Sequence, residues 1–459
     1  MFGRFSEEIF SVCSAKSPAS EQWLVRGQIT SMAKSTPQSI GEFQLDDTVK
    51  GIPGGTRPFP LSQIAGHKWN VVREDLPLPL MVLKQSALMH NVQVMNAFLE
   101  ERQISIAPHA KTHMSPQLVQ LQLSNGAWAI TAGTVNQVQV FRKFGVSRIV
   151  LANQLVGRQN VRYVVKEINA DPSFDFYCLV DSAEGVRHLG LLAQEFGLLR
   201  PIKVLLEGGY FGGRAGCRTL REAREVITAI KEVPHLVHLA GVEGFEGSIS
   251  ADDPTEAAAR VSKYLGFLNE LLAELRPEDL PGATEIILSA GGSGYFDMVE
   301  KSFQALNTFL PKRILLRSGC YLTHDSHMYR EYQEQRVIRG WRGPQLRAAL
   351  EVWSYVQSIP EEGLAILTIG KRDCPYDYFL PVPLRRYRAD GGEHTLSGCQ
   401  ITRLNDQHAY MSFPNGRDLQ FGDMIACGIS HPCTAFDKWR FIPIVNDEYD
   451  VVDGLLTYF

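Results

Sequence analysis

The stretch Ile106-Ala107-Pro108-His109-Ala110-Lys111-Thr112-His113 places a lysine at the end of a short apolar segment, between two histidines and after a proline. An amine just past a strand, at the mouth of an α/β barrel, can be desolvated enough to act as a nucleophile. Schiff-base chemistry with pyridoxal phosphate needs such an amine. The bland alternative is a solvated surface lysine, and Lys111 alone does not decide between them.

Other residues extend this reading. Ser289-Ala290-Gly291-Gly292-Ser293-Gly294 follows the apolar Ile286-Ile287-Leu288 and offers backbone N–H groups and hydroxyls, either as a phosphate cradle or as a plain glycine turn. Tyr321, in Arg317-Ser318-Gly319-Cys320-Tyr321, could donate to the same phosphate or pack at a barrel end. Arg214, in the glycine-rich run Gly208 to Gly216, is a permanent cationic donor suited to a phenolate or carboxylate, or else one partner of a surface ion pair. Glu243 could face a pyridine nitrogen or be one more loop carboxylate. His431 and Cys433, two apart in Ser430-His431-Pro432-Cys433-Thr434, can project to one side of an extended segment. That N/S pair suits Zn²⁺, although catalytic zinc usually has three protein ligands, so a third ligand or the substrate must complete the sphere. The alternative is a buried cysteine beside a satisfied histidine. Lys371-Arg372-Asp373 and Tyr376-Asp377 form a further polar cluster.

The elements that position these groups follow a rhythm. From about residue 80 to 330, short apolar segments alternate with stretches whose apolar residues recur three and four apart, such as Asn91 to Arg102 and Asp253 to Leu275. The segments run from Met81-Val82-Leu83 and Ile104-Ser105-Ile106 to Ile314-Leu315-Leu316. Repetition over about 250 residues with about eight strands predicts a (β/α)8 barrel, with a doubly wound sheet as the runner-up. Beyond about 335 the pattern becomes that of a smaller, mainly β domain. The expected divisions are an N-terminal extension over 1–75, a barrel over 76–332 and a C-terminal β domain over 333–459. The extension, with its Pro/Gly cluster Gly51 to Pro60, is expected to pack partly on the β domain or to cover a dimer surface.

Composition narrows the class. The chain has 459 residues, 44% hydrophobic and 21% charged, with net charge −4, as in a soluble globular enzyme of two domains. No basic stripe points to nucleic acid, and no apolar run approaches the roughly 18 residues that span a bilayer. The N-terminal residues, with Glu7 and Glu8, lack a signal-peptide core. The eight cysteines form no CxxC pair, which predicts free thiols in a reducing, cytoplasmic setting.

Taken in order, these motifs resemble the D-threonine aldolase / D-serine dehydratase family of fold-type III pyridoxal-phosphate enzymes. The resemblance runs from about Pro77 to the C-terminus. It rests on Pro108 to His113 (PHAKTH), the Arg214 loop, Ser289 to Gly294, Gly370 to Asp373 (GKRD) and Ser430 to Trp439 (SHPCTAFDKW). It implies an alanine-racemase-like barrel plus β domain and a homodimer. It also implies that Lys111 carries the cofactor as a Schiff base and acts as the base at the α-carbon. Gly292, Ser293, Gly294 and Tyr321 would hold the phosphate, Arg214 would lie near the ring, and Glu243 would fall near the ring nitrogen, where relatives carry other polar types. His431 and Cys433 match the metal pair of the dehydratase branch, for Zn²⁺ or alternatively Mn²⁺, whereas aldolases of the family show His-x-Asp. The implied activity is a lyase: a D-serine dehydratase-like deaminase that eliminates water from a D-3-hydroxy amino acid to give a 2-oxo acid and ammonia. Alternatives of the same fold are a D-threonine aldolase, an amino-acid racemase and a non-enzymatic pyridoxal-phosphate carrier. The racemase would need a second base where this reading puts the metal.

Overall fold

The computed structural model describes residues 38–388 and 392–459, so 1–37, the first half of the expected N-terminal extension, lie outside the described residues. Strands β1 (Gln44–Leu45) and β2 (Phe59–Pro60) form a small antiparallel pair, and β3 (Leu80–Lys84) follows. The next eight strands are β4 (Ser105–Ile106), β5 (Ile130–Ala132), β6 (Arg148–Gln154), β7 (Asp175–Val180), β8 (Ile202–Gly208), β9 (Val237–Gly244), β10 (Ile286–Ala290) and β11 (Lys312–Leu316). They form one parallel sheet in the order β5-β6-β7-β8-β9-β10-β11-β4. Its two ends meet. Trp128 N–H donates to the Ile106 carbonyl at 2.8 Å, Thr131 N–H to that of Pro108 at 3.0 Å, and His109 bridges Thr131 in parallel. The expected barrel is therefore closed.

Period-two alternation divides the barrel's apolar residues between two cores. Ala107, Ala129, Val150, Tyr177, Leu179, Leu205, Ile287 and Leu315 fill the interior. Their neighbours, such as Ile149 and Leu151, face the helices. The helix Arg158–Ala170 buries Val161, Val164, Val165 and Ile168, one stripe at helical spacing. Helix starts are marked in sequence. Thr134, Ser182, Thr219 and Asp253 each accept the backbone N–H three residues on.

The second sheet comprises β12 (Leu350–Glu361), β13 (Leu364–Leu367), β14 (Val382–Arg388), β15 (Gly392–Thr395), β16 (Gln400–Leu404), β17 (Ala409–Ser412), β18 (Met424–Gly428), β19 (Phe441–Val445) and β20 (Val451–Leu456). Its order is β15-β14-β18-β12-β13-β17-β16, and β19 pairs with β20. Strand β3 belongs here and not to the barrel. It pairs antiparallel with β12 and parallel with β19. The sheet division thus falls after Lys84 and not at residue 76. The run Leu80–Leu83 is buried on both faces, and such a run carries no alternation that would show which sheet it joins. The described part of the N-terminal stretch packs on this domain. Leu61 and Ile64 lie over Gly454, and Lys50 bonds Asp373 at 2.6 Å while its ammonium sits 3.5 Å from the Trp439 ring.

Trp353 of β12 is fully buried, with the Tyr387 and Tyr449 rings 5.0 and 4.9 Å away. Trp353→Ala should cost about 3–5 kcal/mol, read as a lower urea midpoint. An unchanged midpoint would contradict this account of the β-domain core.

Candidate active site

The C-terminal ends of the barrel strands carry the polar residues. After β4 the chain makes a short 3₁₀ turn, Ala110–Thr112. The loop after β11 lies directly on it, because Gly319 has no Cβ; one there would meet the His109 carbonyl oxygen at 2.3 Å. Lys111 leaves the turn past Gly133, where a Cβ would lie 3.6 Å from Lys111 Cδ. Its side chain is exposed at the mouth and not desolvated, since the turn carries it outward from the barrel interior. Beside it, burial and then the charges of Lys111, Arg317 and Arg214 hold the His109 imidazole well below its usual pKa. Lys111, Arg214 and Arg317 therefore share one mouth. Arg214 is exposed, with its guanidinium 4.6 Å from the centre of the Phe245 ring.

Glu243 is 1% exposed at the end of β9. One oxygen is bonded by Arg317 Nη2 and the other, Oε2, has no hydrogen-bond partner. Arg317 also donates to the Gly244 carbonyl at 2.8 Å and to Ser289 Oγ at 3.1 Å. Burial pushes the Glu243 carboxyl up and Arg317 opposes this. Glu207 is the partner of Glu243 in register on β8, and accepts from Gln154 Nε2 at 2.5 Å. Burial, and next the charge of Glu243, push Glu207 up to about 8. Neither Arg317 nor Glu207 was singled out by sequence. Both stand at strand ends, the one signal that could have marked them.

After β10, Gly291 to Gly294 lead into the helix Phe296–Gln304, whose start has no side-chain cap. Gly291 takes φ +96°, and a Cβ there would meet the Leu316 side chain at 2.8 Å. Ser318 Oγ donates to the Gly291 carbonyl at 2.9 Å, and Cys320 N–H donates to Ser293 Oγ at 3.2 Å. Gly294 packs against the Tyr332 ring. From below, buried Glu246 accepts the Gly291 N–H at 3.1 Å, with its other oxygen unpartnered. The first N–H groups of an uncapped helix behind a glycine loop suit a phosphate, so Gly292, Ser293 and Gly294 could hold one. Tyr321 is buried behind the loop, with Gln122 nearby.

The β domain meets this mouth at His431 and Cys433. Strand β18 runs into them, and Cys433 opens a short helix, Cys433–Phe436. His431 Nδ1 is 2.6 Å from Asp377 Oδ2, and Thr434 Oγ donates to the other Asp377 oxygen at 2.7 Å. Asp377 thus orients the ring and leaves Nε2 for a metal. Hydrogen bonds from Cys320, then from His431 and Thr112, hold the Cys433 thiol well below its usual pKa against burial. Against its own burial, Cys433 and then Asp377 raise His431 to about 9. An imidazole and a thiolate are a donor set suited to a soft divalent ion. Among the described residues, no three His, Cys, Asp or Glu side chains are already gathered into a metal cage. The decisive contact is Thr112 Oγ to Cys433 Sγ, 3.4 Å. It brings the His431–Cys433 pair against the residue after Lys111.

Comparison with known proteins bears on the fold. Residues 349–445 match the family described as "Putative serine dehydratase domain". The chain is 23% identical over 383 residues to D-threonine aldolase of Arthrobacter sp, covering 80% of this chain and 89% of that one. Its fold matches D-threo-3-hydroxyaspartate dehydratase from Delftia sp. HT23 with TM-score 0.65 at 17% identity, covering 85% of this chain and 99% of that one. It also matches alanine racemase of Clostridium difficile 630 in complex with cycloserine with TM-score 0.54 at 15% identity, over 82% and 97%. These likenesses show the fold, an alanine-racemase-like barrel plus a β domain. The D-threonine aldolase and the dehydratase are lyases. A cysteine-to-alanine variant of that dehydratase is described as metal-free.

Glu207 gives this site a pH signature. Its folded pKa of about 8 lies above the ordinary 4.5, so the folded state holds a proton the unfolded chain has released. The contribution to stability is full below about pH 4.5 and is lost as pH rises to about 8. The urea midpoint of the parent chain relative to Glu207→Gln should fall between about pH 5 and 8 and then level. A pH-independent difference would contradict this.

Proposed function

We propose that this chain is a pyridoxal-phosphate- and metal-dependent D-amino-acid deaminase of D-serine dehydratase type. It would eliminate water from a small D-3-hydroxy amino acid to give a 2-oxo acid and ammonia. The observation that carries the reading is the meeting of the Lys111 turn with the His431–Cys433 pair at one barrel mouth. Lys111, exposed there, is the amine placed to hold the cofactor and to take the proton from the α-carbon. Gly292, Ser293 and Gly294, with the helix start behind them, hold the phosphate. Arg214, beside Phe245, is within reach of an anionic group at the mouth. Glu243 and Arg317 lie buried at the floor and neutralise each other's charge.

Pyridoxal phosphate, when bound, supplies an electron sink for the charge left when the α-proton departs. A bound Zn²⁺ or Mn²⁺ would polarise the substrate β-hydroxyl as a Lewis acid and make it a better leaving group. Asp377 orients His431 for that role, and the low thiol pKa readies Cys433 as a ligand. Cys433 in place of the Asp of family aldolases supports dehydration. Retro-aldol cleavage to glycine and an aldehyde is the second reading, favoured by the sequence match to D-threonine aldolase. Racemisation comes third. We also infer a homodimer in the cytoplasm. The described cysteines are all free thiols, and among the described residues no helix is long and apolar enough to cross a membrane.

The test is product analysis on D-serine and D-threonine with added pyridoxal phosphate. Ammonia and 2-oxo acid should form, vanish with chelator and return with zinc. Lys111→Ala should lower kcat by at least about 10²–10⁴-fold. Glycine plus aldehyde would overturn dehydration in favour of aldol cleavage, and chelator-resistant turnover would overturn the metal's role.

A further inference from the structure

Cys320 stands out among the groups the proposed mechanism does not use. It follows β11 in the loop that Gly319 lays on the Lys111 turn, and it is 4% exposed. Its sulfur lies 3.6 Å from Cys433 Sγ and 3.7 Å from Thr112 Oγ. Two thiolates on one tetrahedral zinc, each at about 2.3 Å, stand about 3.8 Å apart. The two sulfurs, 113 residues apart in sequence, already hold nearly that separation. The existing contacts run in a line, from Asp377 to His431, to Cys433, to Cys320. A metal ion bound to His431 and Cys433 would turn that line into a closed set.

We propose that Cys320 is a third protein ligand of the metal, supplied by the barrel to the pair supplied by the β domain. The proposal rests on the metal reading of His431 and Cys433. It makes the site His–Cys–Cys, with the fourth position left for the substrate hydroxyl or water. Three protein ligands and one open position are the usual composition of catalytic zinc, which a His–Cys pair alone does not reach. The ion would then also join the two domains, because Cys320 and Cys433 come from different sheets.

X-ray absorption at the zinc edge of the zinc- and pyridoxal-phosphate-loaded full chain, kept reduced, counts sulfur neighbours without any substitution. Two sulfurs per zinc are expected. In Cys320→Ser the count should drop to one. Zinc affinity, from competition with a chelator, should fall at least about 100-fold, beyond the about 10- to 100-fold loss typical of removing a supporting group. One sulfur in the parent chain, or unchanged count and affinity in Cys320→Ser, would overturn the third ligand while leaving the His431–Cys433 pair intact. Zinc that binds with no sulfur, or does not bind, would overturn the metal reading itself and this inference with it.

Discussion

Thr112 is a small side chain under a demanding constraint. Its hydroxyl lies 3.4 Å from Cys433 and 3.7 Å from Cys320, while its backbone belongs to the turn that carries Lys111. Three separate segments must converge for this to hold: the turn after β4, the loop after β11 and the loop after β18. Gly319 permits the first two to touch, because any Cβ would strike the His109 carbonyl. Gly428 does the same for the third. A Cβ there would lie 2.1 Å from Ser326 Oγ, in the segment that follows Cys320. Small residues at these approaches let amine, thiol and imidazole share one mouth.

The chain path reinforces that convergence. It enters the β domain at β3, crosses to the barrel through the helix Gln85–Arg102, and returns after β11 to build β12 beside β3. The two sheets are therefore joined by two covalent crossings, and β3 is held by hydrogen bonds to β12 and β19. Such a join limits relative motion of the domains, which suits a site whose groups come from both. Below the mouth, the buried Arg317–Glu243 pair sits with Glu207 and Gln154. Arg317 also bonds Ser289 and the Gly244 carbonyl, so its charge is neutralised and hydrogen-bonded.

Much of this was legible in sequence. The strand–helix rhythm announces a barrel, and the glycine loop before the helix at Phe296 marks a candidate anion site. His431 and Cys433 were recognisable as a pair because they stand two apart, although the extended segment expected there is a turn, with Pro432 at φ −58° and ψ −39° and Cys433 opening a helix. What was not legible is long-range or directional. Whether Leu80–Leu83 joins one sheet or the other depends on partners some 270 to 360 residues away, and its unbroken apolar run carries no sign of the choice. Tyr321 and Glu243 both stand at strand ends. One is buried behind the loop and the other turns to Arg317, and spacing does not encode side-chain direction. Cys320 looked like one scattered thiol until the fold set it against Cys433.

We propose that Lys111 is the amine that would carry the cofactor beside the His431–Cys433 pair. The direct measurement is borohydride reduction of the pyridoxal-phosphate-loaded chain, followed by digestion and peptide mass spectrometry. The account predicts one reduced pyridoxyl adduct, on the peptide containing Lys111, and none in Lys111→Ala. An adduct on any other lysine of the loaded parent chain, or no adduct, would contradict it.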